Sequence, residues 1–536
     1  MLLGHKLCSG ALLLILTRFT GAQVSSTTID LGYAQYQGTV DTTTNVTTFL
    51  GIRYAASPIG DLRFRAPQPP ANVTGVQLAT SQPNQCFQAG FGTAPTTPFR
   101  TRAEQIISTE DCLFLNVYFP SNADGTPVGK LPTIVWIHGG GYLEGAASMY
   151  EGTDLISQSN RGIVVVTIQY RLGVFGFLPG TEVKKNGALN AGLLDQDFAL
   201  RWVNKHISKF GGDPTKVTIW GESAGAGSVL QQVVANNGQT EPQLFRGMIT
   251  SSTFLPSQYK YNDRIPELLY SEVVAQTNCT VAVDSLACLR TADADTLEAA
   301  NVNINAAGFY GTWAVVPVVD GSFITQPPLQ SLLEGKVNGK VLLSVTNAFE
   351  GTIFVNQSTE ATANATQYAL DLFPNFGPTQ AQKVGALYAG LGTPLFQENA
   401  IQGESIFICP TYAMLHAFRG RSFKGEFAIP PGTHGLDGLY YFPSASVYFP
   451  TVSIFNNTAF INAFAQSFTS FAISLDPNVK INTTITPKWN MWDIGQTEML
   501  FNKTDSDAPV VHSVKTSDAL LKRCQFWDSV GGLTGQ

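Results

Sequence analysis

Charged side chains are scarce in this chain. Asp, Glu, Lys and Arg make up 13% of its 536 residues, against roughly 25% in an average soluble domain. Its 32 Lys and Arg are outnumbered by 39 Asp and Glu, for a formal net charge of -7. A nucleic-acid partner is excluded, because phosphate neutralisation needs a density of cations that is missing. Long hydrophobic runs are also missing. No segment reaches the ~18 uninterrupted apolar residues of a membrane helix, and the terminal Gly531-Gly532-Leu533-Thr534-Gly535-Gln536 has no lipid-anchor tail. No integral membrane span is expected. Internal repeats, low-complexity tracts and a convincing interdomain linker are absent too. The expected organisation is therefore a leader over 1–22 and a single domain over 23–536.

The leader is read from Lys6 in a short polar start, followed by the apolar stretch Ala11–Leu16 and small residues at Thr20 and Ala22. That pattern fits a secretory signal cleaved before Gln23. Cleavage removes Cys8 and leaves six of the seven cysteines, an even number suited to an oxidising compartment. Six cysteines allow 15 pairings. Cys279 and Cys288 are near enough for a local loop, and Cys86 with Cys112 brackets a surface excursion. Cys409 and Cys524 are left either to pair or to stay as two buried thiols. Asn-x-Ser/Thr sites at Asn45, Asn72, Asn278, Asn356, Asn364, Asn456, Asn482 and Asn502 fit a secreted, extracellular glycoprotein.

With 44% hydrophobic residues the chain can bury a large core. Strands are legible at Leu131–His138, at Gly162–Ile168 with its run Val164-Val165-Val166, at Val217–Trp220 and at Lys340–Thr346. Near-continuous apolar runs of this kind belong to strands covered on both faces. Between them, Phe198, Leu200, Trp202, Val203 and Ile207 recur near helical spacing over 195–210, and Gly211-Gly212-Asp213-Pro214 ends that helix. Alternating strands and helices predict an α/β architecture with a parallel sheet.

Gly221-Glu222-Ser223-Ala224-Gly225 is the sharpest feature. A serine hydroxyl is a poor nucleophile unless it is exposed, aligned and relieved of its proton by a base. A tight turn from strand to helix supplies exposure and alignment, and small flanking residues permit the cramped backbone. In a chain with 50 glycines, chance yields about 0.3 matches to Gly-x-Ser-x-Gly. Context therefore decides: an apolar strand precedes the turn, and 226–235 can continue as a helix. His138-Gly139-Gly140-Gly141 ends another apolar strand. Glycines there let backbone N–H groups converge on one point, as stabilising a developing oxyanion requires. Beside a nucleophile turn, Gly140, Gly141 and Ala224 are the expected donors. Glu222 and Ser228 read either as supports of the site or as ordinary turn and helix packing.

The chain resembles the type-B carboxylesterase/lipase family, especially secreted fungal-type esterases and Candida rugosa-type lipases. The resemblance is carried by Phe49–Ala55, Leu62-Arg63-Phe64, Glu110–Val117, Gln169–Gly173, Gly192–Gln196, Phe210–Pro214 and Pro317–Gly321, together with the Ser223 turn. It implies the α/β-hydrolase fold, a large, mostly parallel central sheet flanked by helices, with insertions. It also implies disulfides Cys86–Cys112 and Cys279–Cys288. Glu350, just beyond the Lys340–Thr346 strand, resembles the family's catalytic acid. His434, in Gly432-Thr433-His434-Gly435-Leu436-Asp437, resembles its catalytic histidine. Of the other histidines past the leader, His138 belongs to the glycine loop, His206 to the polar end of the amphipathic helix and His416 to a packed helix. His512 lies in a polar C-terminal stretch. The chain order Ser, acid, His is the one α/β-hydrolases use.

These residues point to a serine esterase. His434 takes the proton of Ser223 as Ser223 attacks an ester carbonyl, and Glu350 orients the imidazole. No metal or cofactor is needed, and the partner is a small-molecule or lipid ester. A carboxylesterase acting on soluble or moderately hydrophobic esters is expected first. An interfacial triacylglycerol lipase or sterol esterase, in contact with lipid interfaces, is the alternative. The 25 residues between Cys86 and Cys112 are short for an interfacial lid, yet Phe87, Phe91, Phe99, Ile106 and Ile107 could form an apolar flap. That stretch has no Trp to hold a quaternary ammonium, which speaks against choline esters. A non-catalytic adhesion or binding protein on the same fold would ordinarily have lost Ser223, Glu350, His434 or the glycine loop.

Overall fold

A computed structural model describes residues 24–94 and 108–536. The leader and the flap positions Phe99, Ile106 and Ile107 lie outside the described residues. Among those described, one sheet holds thirteen strands. Twelve form its path: β1 Val24–Asp30, β2 Gln35–Asp41, β3 Val46–Arg53, β4 Phe114–Pro120, β5 Leu131–Ile137, β6 Val164–Ile168, β7 Gly212–Glu222, β8 Gly247–Ser251, β9 Val341–Asn347, β10 Ser422–Phe427, β11 Thr497–Lys503 and β12 Pro509–Lys515. Their spatial order is β1-β2-β3-β4-β6-β5-β7-β8-β9-β10-β11-β12, with Val76–Leu78 added beside β2. From β6 to β11 every neighbouring pair is parallel, as expected. The flanks are antiparallel, within the mostly parallel sheet that the resemblance implies: β1 to β4, the β4–β6 pair and the β11–β12 pair. β1–β2, β2–β3 and β11–β12 follow one another through short turns, which parallel pairing does not allow.

Strand periodicity divides the core. Val135 and Ile137 of β5 and Ile219 of β7 face one side, with Leu200 and Val203 of α1 (Ala191–His206) and Val229 and Val233 of α2 (Ala224–Val234). Ile134, Trp136 and Trp220 face the other. There α5 (Thr458–Ser474) lays down Phe460, Phe464, Phe468 and Phe471, spaced as one face of a helix. Trp220 stacks on Phe468 at 5.4 Å and Trp136 packs edge-on to Trp220 at the same separation. Helices on both faces explain why the central strands read as unbroken apolar runs.

The helix expected over 195–210 is α1 followed by a 3-10 turn, Ile207–Phe210, closed by Gly211 at φ 78°. The strand expected at Val217 already pairs with β5 from Gly212. His206 lies in the last turn of α1, as expected, but its side chain is buried against Tyr33 and Trp202. His416 lies edge-on to Trp492, and His512 is exposed on β12.

Three disulfides are formed: Cys86–Cys112, Cys279–Cys288 and Cys409–Cys524. The third resolves the alternative left by the sequence and ties α4 (Cys409–Ala417) to α6 (Asp518–Ser529). It closes a loop of 115 residues, whereas Cys279–Cys288 closes one of nine. Loop-closure entropy then predicts that the double substitution Cys409→Ala/Cys524→Ala destabilises by about 2 kcal/mol more than Cys279→Ala/Cys288→Ala. Denaturant midpoints of the two variants read the difference; equal midpoints would contradict it.

Candidate active site

Ser223 sits where β7 hands over to α2. Its backbone is at φ 56° and ψ -124°, outside the regions open to an ordinary residue. Such strain costs about 1–3 kcal/mol and persists only where the surroundings impose it. Here they do. A Cβ on Gly221 would lie 2.2 Å from the Gly225 carbonyl carbon, and one on Gly225 would lie 2.0 Å from the Ile137 oxygen. The helix is thus drawn hard against the ends of β7 and β5, and only glycine fits at either side of the turn. The Ser223 N–H donates to Ser251 O at 2.9 Å, tying the turn to β8. Ala224, the first residue of α2, is fully buried beneath it, with an N–H that no intrahelical carbonyl can accept.

The next strands bring up the acid and the imidazole. Glu350 follows β9, and its carboxylate is 1% exposed. Oε1 accepts from the Asn347 N–H at 2.6 Å and from Ser252 Oγ at 2.7 Å. Oε2 lies 2.6 Å from His434 Nδ1. The loop carrying His434 follows β10 and runs beside the Glu350 loop, with the Phe349 N–H donating to Gly432 O at 2.8 Å. Phe354 and Phe407 enclose the imidazole, their centroids 5.0 and 4.4 Å from it. Nε2 is buried and makes no hydrogen bond among the described residues. It therefore remains available to a group in the cavity.

That cavity, about 500 Å³ in volume, is lined by Ser223, His434, Glu222, Gly139, Gly140 and Gly141, with apolar walls from Trp136, Trp313, Phe91, Phe354, Leu439 and Val452. Residues singled out by two separate sequence patterns, and His434 singled out by resemblance, thus meet around one space. Gly140 and Gly141 take φ 99° and 65°, a left-handed path that turns the loop back on itself, so Gly140 O accepts from both Leu143 and Glu144. His138 is not part of the lining. It is buried under Tyr170 at 4.5 Å, and burial pushes its imidazole down to about 4 against the pull of the Gly139 carbonyl.

Two residues left open in the sequence now separate. Glu222 Oε1 is 3.4 Å from His434 Nε2, so this carboxyl touches the imidazole. Burial, aided by the charges of Asp437 and Glu350 and opposed by His434, pushes it up to about 8. Ser228 supports the helix instead: it donates to Ala224 O and accepts from Gln196 Nε2, both at 2.9 Å. Sequence reasoning missed Ser252, Asn347 and the part played by Asp437. Asn347 Nδ2 donates to Ser252 Oγ at 3.1 Å and to Asp437 Oδ1 at 2.9 Å, and Tyr441 holds the other oxygen of Asp437. Burial, with Glu350 adding and the Asn347 hydrogen bond opposing, raises Asp437 to about 6. Three positions far apart in the chain carry no spacing signal. Of the expected flap, Phe87 stacks on Phe175 at 4.9 Å and Phe91 is turned into the cavity wall, so both are packed inward.

A profile of the carboxylesterase family matches residues 25–380. "Secreted lipase 1" of Botryotinia fuckeliana (strain B05.10) is 36% identical over 355 residues, 62% of this chain and 62% of that protein, so the match spans about three fifths of that relative. "Lipase 4" of Diutina rugosa is 32% identical, covering 80% of this chain and 84% of its own. "Carboxylesterase patB" of Aspergillus clavatus is 29% identical over 98% of this chain and all of its own. Among solved structures, Aspergillus niger EstA superimposes with a TM-score of 0.84 at 31% identity, over 96% of this chain and 99% of that one.

The electrostatics of His434 carry a prediction. Burial disfavours its cation, but the charge and hydrogen bond of Glu350 outweigh that and raise its pKa above that of an ordinary imidazole. Glu350→Gln removes the charge, so burial then dominates and the imidazole titrates below its wild-type value. Histidine NMR titration of the two proteins measures the shift; an unchanged or higher value in the variant contradicts the assignment.

Proposed function

The chain belongs to the carboxylesterase family, and on that premise we propose that it is a secreted serine esterase that hydrolyses carboxylic esters through an acyl-enzyme on Ser223. The observation that carries this reading is the imidazole of His434, held at Nδ1 by Glu350 at 2.6 Å and left without a hydrogen bond at Nε2, on the cavity that Ser223 also lines.

In the proposed mechanism Nε2 accepts the Ser223 proton as Oγ attacks the ester carbonyl, and Glu350 stabilises the imidazolium that forms. The N–H groups of Gly140, Gly141 and Ala224 hold the oxyanion of the tetrahedral intermediate. Collapse returns the proton from Nε2 to the leaving alcohol, and water repeats the two steps on the acyl-enzyme. Phe354 and Phe407 pack on the imidazole and lower the polarity around it, which strengthens its coupling to Glu350, while Nε2 stays open to the cavity. Burial pushes Glu222 toward its neutral form, which limits the negative charge beside the oxyanion. A family member without activity would lack this constellation, and the adhesion reading has no observation in its favour.

Residues 1–22 are read as the secretory leader and 23–536 as one catalytic domain. The single sheet running from Val24 to Lys515 and three disulfides support that division. The apolar cavity suits a moderately hydrophobic ester. A second reading, action on esters at a lipid surface, is favoured by Val447, Tyr448 and Phe449, exposed by 73%, 44% and 45% beside the mouth that Phe449 itself lines.

Ser223→Ala is expected to lower kcat on p-nitrophenyl butyrate by at least about 10³-fold while the protein stays folded; retained activity would overturn the mechanism. Across acyl chains of two to sixteen carbons, saturation on dissolved short esters identifies a carboxylesterase. A rate jump once long-chain esters aggregate identifies the interfacial reading.

A further inference from the structure

Away from the catalytic cavity, a second space of about 220 Å³ opens beside α3 (Ala365–Leu372). It is the size of one sugar ring. Phe309 and Tyr310, both half-buried, line one part of it. Gln367, Asp371 and Glu398 line another, and these polar groups are held in place: Gln367 Nε2 donates to Asp371 Oδ1 at 2.9 Å, and Glu398 Oε1 accepts the Asn364 N–H at 2.6 Å. Aromatic faces beside fixed acceptors suit a pyranose, whose C–H faces meet the negative π surface while its hydroxyls donate.

Asn364, itself a lining residue and solvent-exposed, opens the sequence Asn364-Ala365-Thr366. Its Oδ1 caps α3 by accepting from the N–H groups of Thr366 and Gln367 at 3.0 and 3.1 Å. Its Nδ2 makes no hydrogen bond among the described residues. An N-glycosidic bond replaces one hydrogen of Nδ2 and leaves Oδ1 as an acceptor, so glycosylation and the cap are compatible. Two other candidate asparagines differ. Asn356 is half-buried with Oδ1 engaged by the hydroxyl of Ser358, and Asn482 spends Nδ2 on Gln466.

We propose that Asn364 is N-glycosylated and that its first N-acetylhexosamine is seated in this cavity, clamping α3 to the Phe309–Tyr310 segment. The bond forms between Nδ2 and the anomeric carbon of a lipid-diphosphate-linked oligosaccharide donor, with the lipid diphosphate leaving and the amide proton lost to a base. The proposal rests on the secretory reading above, because that donor and its transferase belong to the secretory route.

The test uses the full chain with its own leader, expressed in a yeast that adds high-mannose glycans. Site occupancy is read by glycopeptide mass spectrometry, with the exposed Asn72 as reporter of passage through the secretory route. Three forms are then compared: intact, trimmed by endoglycosidase H to one sugar per site, and Thr366→Val, which removes the sequon without altering Asn364. Occupied Asn364, equal Tm for the first two forms, and a Tm lower by about 2 °C with faster amide exchange in α3 for Thr366→Val are expected. An empty Asn364 beside an occupied Asn72 overturns the proposal alone, as does a Thr366→Val protein with unchanged exchange in α3. Failure of every sequon, Asn72 included, overturns the secretory reading and this proposal with it.

Discussion

One buried charge sets the terms for the rest of this structure. The carboxylate of Glu350 is almost wholly removed from water, and an unpaired charge there would be prohibitive. Three donors from three different parts of the sheet meet it: the Asn347 N–H at the end of β9, Ser252 Oγ just past β8, and His434 Nδ1 from the loop after β10. Those loops are neighbours only because β8, β9 and β10 are adjacent and parallel. The parallel centre places their carboxyl ends, and hence their loops, on one edge of the sheet. Topology thus compensates the charge, and compensation fixes the imidazole.

A second tier of ionisable groups surrounds that pair. Glu222 and Asp437 are both enclosed, and burial pushes both toward the neutral form. Were all three carboxyls charged at once, their repulsion would fall on the one imidazole they share. Burial favours the neutral form of Glu222 and Asp437, whereas the Glu350 carboxylate has three donors around it. Asp437 is linked to Glu350 through Asn347 and Ser252, so a change at either relay residue reaches the imidazole without touching it.

The strain at Ser223 belongs to the same economy of space. Close contact of Gly221 and Gly225 with neighbouring backbone lets α2 start directly under the sheet edge, with first N–H groups that no intrahelical carbonyl accepts. Gly140 and Gly141 approach from β5 on the other side. The wall between is aromatic, and Phe354 and Phe407 cover the imidazole from solvent. Low local polarity makes each of these contacts count for more than it would in water.

Much of this was legible in the chain itself. Apolar runs marked β5, β6, β7 and β9 because strands covered on both faces have no polar side to interrupt them. The turn around Ser223 and the glycine loop were legible because steric demands on consecutive residues leave local patterns. Glu350 and His434 stood out only through family resemblance, since a lone carboxylate or imidazole in a loop carries no pattern of its own. The pairing of Cys409 with Cys524 was one of two open alternatives, and hidden altogether were the placing of the antiparallel flanks, the burial of His206 and the relay from Ser252 through Asn347 to Asp437. Local sequence dictates what each short segment does with its own backbone and its own apolar faces. The pairing of Ser252, Glu350 and His434, and of Cys409 with Cys524, comes from the fold, because these partners lie scores of residues apart and meet through strand order and helix packing rather than through spacing.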